Sequence, residues 1–138
     1  MKLLIADRLP PSHVDMLRKI VEDVEYVPDL TADSLPDHIS GSRILVVRGT
    51  RVSNSTIEKD VELELIVRAG AGTENIDLEA ASARGVYVTN CPDKNSAAVA
   101  ELTLGLLVAI DRRIPEQSIA LKEKRWDKEE YSGRRPKG

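Results

Sequence analysis

The chain of 138 residues has the length of one ordinary domain, and its formal net charge of -3 excludes the basic excess of a general nucleic-acid binder. With 41% hydrophobic and 31% charged residues it is globular rather than disordered, and with one Trp, three Tyr and no Phe its core must be aliphatic. A single cysteine excludes an internal disulfide and points to a reducing, cytoplasmic setting.

The first apolar run, Leu3 to Ala6, is too short for a signal peptide and is followed at once by Asp7. The sequon Asn54-Ser55-Thr56 is therefore expected to stay unmodified. After Pro10-Pro11, Ser12 is placed to cap a helix whose stripe is Val14, Leu17, Ile20 and Val21. Val24-Glu25-Tyr26-Val27 reads as a weaker strand near an edge. Thr31 precedes a shorter helix with Leu35 and Ile39, stopped by Gly41. The runs Ile44-Leu45-Val46-Val47, Leu65-Ile66-Val67 and Val86-Tyr87-Val88 do not alternate apolar with polar. They and the first run read as strands covered on both faces, the habit of parallel sheets. Asp77 caps the helix before the last of them, and Gly85 ends it.

Strand–helix alternation with short connections predicts right-handed β-α-β units. The expected fold is α/β: a flavodoxin-like parallel sheet with helices on both faces over residues 1–94. Residues 95–138 differ in character. Asn95 or Ser96 can cap a helix from Ala97 to about Ile114, apolar around nearly all of its circumference through Val99, Leu102, Leu104, Leu106, Leu107, Val108 and Ile110. Such a helix must be buried on all sides, so it needs another domain or subunit; a homodimer through residues 97–114 is expected. Its uncharged run, Leu102 to Ile110, is about half of the roughly 20 residues that span a bilayer, so no membrane segment is expected. A charged arm follows from Glu116 to Gly138, with Trp126 and Tyr131 as anchors.

Open α/β sheets bind ligands beyond the carboxyl ends of their strands. The residues just after the strands are Asp7-Arg8, Arg48-Gly49, Arg68-Ala69-Gly70-Ala71-Gly72 and Asn90. Arginine offers a planar fork of donors for carboxylate or phosphate, and glycines let backbone amides approach an anion. Together they suggest a site for a small, doubly anionic molecule. The turn from Gly70 to Asn75 lacks the third glycine of a dinucleotide fingerprint and is rejected as a pyrophosphate cradle. His13 and His38 fall in the first two helices and read as surface residues. Cys91 reads as a small buried residue at a strand–turn junction, without a partner that would make it a nucleophile. No Cys/His/Asp grouping has metal-ligand spacing.

The stretch IVRAGAGTENIDLEAASARGVYVTNCP, from Ile66 to Pro92, resembles the substrate domain of D-isomer-specific 2-hydroxyacid dehydrogenases. NSAAVAELTLGLLVAIDRRIPE, from Asn95 to Glu116, is similar to that family's long helix linking its two domains. LVVRGTRVSNSTIE and ALKEKRWDKEEYSG strengthen the likeness to the phosphoglycerate dehydrogenase branch. The resemblance implies the substrate-binding part of an NAD-dependent oxidoreductase acting on a 2-hydroxy acid, with 3-phosphoglycerate of serine biosynthesis as the best guess.

On this likeness Arg48 and Arg68 bind the substrate's phosphate and carboxylate, and the amides of Gly70 and Gly72 hold the carboxylate beside the nicotinamide. Asn95 orients the substrate, and Lys128 reaches the substrate of a neighbouring subunit. Ala71 stands where relatives often carry Thr, which leaves only a backbone contact to the cofactor's carboxamide. The family's G-x-G-x-x-G and its catalytic Arg, Glu and His are expected beyond Gly138, so these residues alone are expected to be inactive. The alternative is a non-catalytic flavodoxin-like binding or dimerisation module.

Overall fold

The computed structural model describes residues 1–59 and 62–125. Two compact units divide the chain, Met1–Lys94 and Asn95–Gly138. In the first, five strands form one wholly parallel sheet: β1 (Lys2–Ile5), β2 (Asp23–Tyr26), β3 (Ser42–Val47), β4 (Leu65–Arg68) and β5 (Tyr87–Thr89). Their order, β2-β1-β3-β4-β5, is that of the flavodoxin-like fold. The register places Ile5 opposite both Tyr26 and Val46, Val46 opposite Val67, and Val67 opposite Thr89.

Successive side chains of a strand point to opposite faces, which divides the core in two. Leu4, Leu45, Val47 and Ile66 meet Leu35 of α2 (Leu35–His38), Ile57 of α3 (Asn54–Lys59) and Ala81 of α4 (Leu78–Ala83). Leu3, Ile5 and Val46 meet Val14 of α1 (Pro11–Ile20) and Val21 on the other face. Gly41 (φ 73°) and Gly85 (φ 69°) take the left-handed conformation that ends α2 and α4 at little cost for a residue without Cβ. Asp77 caps α4, its carboxylate accepting the Ala80 amide at 3.0 Å.

Local details depart from expectation. Helix α1 begins at Pro11, with Pro10 rather than Ser12 at its cap, because a proline at the first helical position has no amide to leave unpaired. Ile20 is 77% exposed although it shares the helix of Val14, because six residues at about 100° each carry it roughly 120° around the helix from Val14. Thr31 does not cap α2; it exchanges hydrogen bonds with Ser34 in the preceding turn. Helix α3 appears where no helix was expected, burying only Thr56 and Ile57.

The second unit contains α5 (Ser96–Asp111) and α6 (Ile114–Lys122). The single helix expected to Ile114 instead ends at Asp111; Arg113 takes the left-handed conformation (φ 51°), and Pro115 falls in the first turn of α6, where its missing amide leaves no hydrogen bond unmade. No residue of α5 is buried, and Leu102, Leu104 and Ile110 are at least 63% exposed, so the expected burial on all sides is not seen. Among the described residues of this unit, α6 is the element in contact with it. Trp126, Tyr131 and the rest of the expected arm past Arg125 lie outside the described residues.

Candidate functional site

In the order β2-β1-β3 the chain leaves β1 for α1 on one face and leaves β3 for α3 on the other. Diverging connections of this kind open a crevice at the strand ends, the usual ligand position in such sheets. A hollow of about 540 Å³ lies there, within the range of small-molecule sites. Arg8, Leu9 and Pro10 follow β1, and His13, Met16, Leu17 and Ile20 of α1 form an apolar side. Arg48 follows β3, Ala69 and Gly70 follow β4, and Cys91 and Lys94 follow β5.

Two loops are tied to each other at this rim. The Cys91 amide donates to the Gly70 carbonyl at 2.8 Å, and Asn90 Nδ2 donates to the Ala71 carbonyl at 2.6 Å. The loop after β3 is held by Asp7. Its Oδ2 accepts the amides of Arg48, Gly49 and Thr50 at 2.7, 3.1 and 3.0 Å. Burial alone would raise the Asp7 carboxyl; the backbone amides of Arg48, Thr50 and Gly49 outweigh it and hold the group below its ordinary value. Asn75 Nδ2 donates to the Thr50 carbonyl at 2.8 Å from the far side of the loop.

Charge at the rim is unbalanced. Arg8 pairs with Asp29 at 2.8 Å, whereas Arg48 and Lys94 have no carboxylate within pairing distance among the described residues. Two uncompensated cations at one hollow favour an anion.

Arg68 takes a different position from Arg48. It does not line the hollow; its side chain is 16% exposed, pairs with Glu74 at 3.3 Å, and lies against Gly70. A Cβ on Gly70 would fall 1.9 Å from Arg68 Nη1, and one on Gly72 would fall 1.9 Å from Glu74 Oε2. Both glycines thus make room for this ion pair. Arg68 Nε is buried without a hydrogen-bond partner. The Ala71 and Gly72 amides donate to nothing among the described residues. Asn95 stands at the start of α5 without a side-chain capping bond, and Lys128 lies outside the described residues.

Of the residues singled out as substrate or cofactor contacts, Arg48 and Gly70 meet at one hollow, whereas Arg68, Ala71, Gly72 and Asn95 do not line it. Lys94 went unnoticed; as the first basic residue after β5 it satisfies the same strand-end criterion as Arg48. Cys91, expected to be buried, is exposed and lines the hollow, because β5 ends two residues earlier and the chain turns outward. His13 and His38 are exposed as expected, although His13 borders the hollow; His38 Nδ1 meets the Ser34 carbonyl at 2.9 Å. Among the described residues no three His, Cys, Asp or Glu side chains gather to hold a metal, and no helix is long and apolar enough to cross a membrane.

Residues 3–132 match the family model of the D-isomer specific 2-hydroxyacid dehydrogenase catalytic domain. The chain is 42% identical over 133 residues to D-3-phosphoglycerate dehydrogenase of Methanocaldococcus jannaschii and 34% identical over 137 residues to that of Homo sapiens. Each match covers 96% of this chain and 25% of the relative, so the chain spans about a quarter of the length of these curated relatives. It is also similar in structure to the NAD+-bound 3-phosphoglycerate dehydrogenase of Entamoeba histolytica, with a TM-score of 0.71 and 28% identity over 81% of this chain and 39% of that one. With a parallel sheet in flavodoxin-like order and a family match over nearly its whole length, the chain belongs to the D-isomer-specific 2-hydroxyacid dehydrogenases.

Proposed function

We propose that the chain forms the substrate-binding part of an NAD-dependent oxidoreductase acting on the CH–OH group of a 2-hydroxy acid, with 3-phosphoglycerate and 3-phosphohydroxypyruvate as the couple. The observation that carries this is the pair of uncompensated cations, Arg48 and Lys94, on the hollow at the carboxyl ends of the strands. A three-carbon acid bearing phosphate and carboxylate supplies the charges they lack. Arg68 joins once its guanidinium exchanges the exposed Glu74 for the substrate's carboxylate, beside the open Ala71 and Gly72 amides. The roles of Asn95 in orienting substrate and of Lys128 toward a neighbouring subunit's substrate rest on the family resemblance alone.

A dinucleotide's pyrophosphate does not fit the Gly70–Gly72 turn. The Gly70 amide already donates to the Arg68 carbonyl at 2.8 Å, and the next helix, α4, begins only at Leu78, so no helix N-terminus stands behind the turn. At most the Ala71 amide is left for the nicotinamide's carboxamide. His13 has no carboxylate to orient it among the described residues, so no acid–base role is assigned to it. These residues bind and orient an anion, and by themselves they are expected to reduce no NAD.

Calorimetry with 3-phosphoglycerate and with D-glycerate tests the assignment. Arg48→Ala is expected to weaken the phosphorylated acid by about tenfold or more, the scale of a lost hydrogen bond to a charged group. Equal losses for both acids would detach Arg48 from phosphate, and no loss for either would remove it from the site. A homodimer through residues 97–114 is the second part of the proposal, supported by the uncovered apolar surface of α5. Light scattering is expected to give twice the 15.2 kDa chain mass, and a monomer would contradict it.

A further inference from the structure

We infer that Asp7 is a positioning residue for anion binding: its carboxylate gathers the amides of Arg48, Gly49 and Thr50 and thereby aims the Arg48 guanidinium at the hollow. The inference rests on the proposal that Arg48 binds the substrate's anion.

Three consecutive amides converging on one point form a ready site for an anion. Here the protein's own carboxylate fills it, with all three amides on the single oxygen Oδ2 at 2.7–3.1 Å. One consequence is geometric. Thr50 is fixed again from behind, its carbonyl taking Asn75 Nδ2 at 2.8 Å and its hydroxyl donating to the Leu30 carbonyl at 3.1 Å. The backbone from Arg48 to Thr50 is therefore pinned at both ends, and the Arg48 side chain leaves a fixed Cα.

The other consequence is electrostatic. A carboxylate beside an arginine ordinarily takes the guanidinium in a bidentate pair. The neighbouring Arg8 gives its guanidinium to Asp29, Nε and Nη2 both donating to the one oxygen Oδ1 at 3.0 and 2.8 Å. Asp7 is satisfied by amides instead, so the Arg48 guanidinium has no carboxylate partner among the described residues and remains available to an incoming anion. Asp7 itself does not line the hollow, so it acts through Arg48.

A double-mutant cycle on the full 138-residue chain tests this, with 3-phosphoglycerate affinity read by 15N-edited NMR titration. Asp7→Ala is expected to weaken binding by about tenfold, the order expected when a charge-assisted hydrogen bond loses its geometry. In an Arg48→Ala background the same change is expected to cost less than about twofold, because the group through which Asp7 acts is gone. Asp7→Asn keeps the shape and one acceptor oxygen; it is expected to lose about threefold, and it carries the same cycle if Asp7→Ala does not fold. A merely structural role would lower affinity equally in both backgrounds. That result, or wild-type affinity in Asp7→Ala and Asp7→Asn, overturns the inference. Unchanged affinity in Arg48→Ala alone would instead sink the proposed function, a separate outcome.

Discussion

Gly70→Ala separates binding from stability at this site. The added Cβ would stand 1.9 Å from Arg68 Nη1 and 2.5 Å from Cζ, so the guanidinium must withdraw by roughly 1.5–2 Å to reach ordinary contact. The obstruction is the far end of a flexible side chain, and Gly70 has no positive φ, so the backbone can stay where it is. What is lost is the Arg68–Glu74 pair, whose acid is 73% exposed, and such pairs are worth about 0–1 kcal/mol. Alanine also restricts the unfolded chain, returning about 0.4–1 kcal/mol. The two effects nearly cancel, so urea denaturation should find stability within about 1 kcal/mol of wild type. Affinity for 3-phosphoglycerate should nevertheless fall about tenfold, since the methyl group and the displaced guanidinium both intrude on the anion's place. A destabilisation above about 3 kcal/mol would show that Arg68 is locked rather than free to swing, and unchanged affinity would remove this turn from the site.

Arg68→Ala is expected to weaken binding of 3-phosphohydroxypyruvate by about 1.5–3 kcal/mol in calorimetry, and an unchanged constant would exclude that residue. Leu45→Ala, at a fully buried position paired with Leu4 and Ile66 in the middle of the sheet, should cost about 2–5 kcal/mol in urea denaturation. A cost below about 1 kcal/mol would mean that the site collapses around the cavity. Asp7 titrates below its ordinary value of 3.8 in the folded chain, so its contribution is complete above that value and is lost as pH falls through the folded one. The stability gap between wild type and Asp7→Asn should therefore be constant from about pH 7 to 5 and close below pH 3.8. A gap that widened on acidification would reverse the sign of the argument.

Strands β1, β3 and β4 were legible because each is a short aliphatic run with a well-covered core. Strands β2 and β5 are the edge strands, and Tyr87 of β5 is 78% exposed, against the expected cover on both faces. Gly41, Gly85 and Asp77 mark helix ends by mechanisms local to one turn. Helix α3 was not legible. Its six residues, Asn54 to Lys59, bury only Thr56 and Ile57, too few to set up a periodic stripe. The site was half legible, for a related reason. A strand-end arginine such as Arg48 can be placed by its position in the chain, but the convergence of the β1, β3, β4 and β5 loops depends on strand order, a long-range property. That is why Cys91, expected in the core, stands on the hollow, whereas Lys94 was legible from its position after β5 by the same criterion as Arg48. The grip of Asp7 on the loop 41 residues away is long-range in the same way.

The most direct test of the central claim maps 3-phosphoglycerate onto the protein through its backbone amides by NMR. The largest shifts are predicted at Arg48, Gly70, Cys91 and Lys94, from the three loops after β3, β4 and β5 that this sheet order brings together. Saturating shifts centred instead on the depression between α4 and β5, around Leu78, Ser82 and Tyr87, would contradict the account, as would none at all.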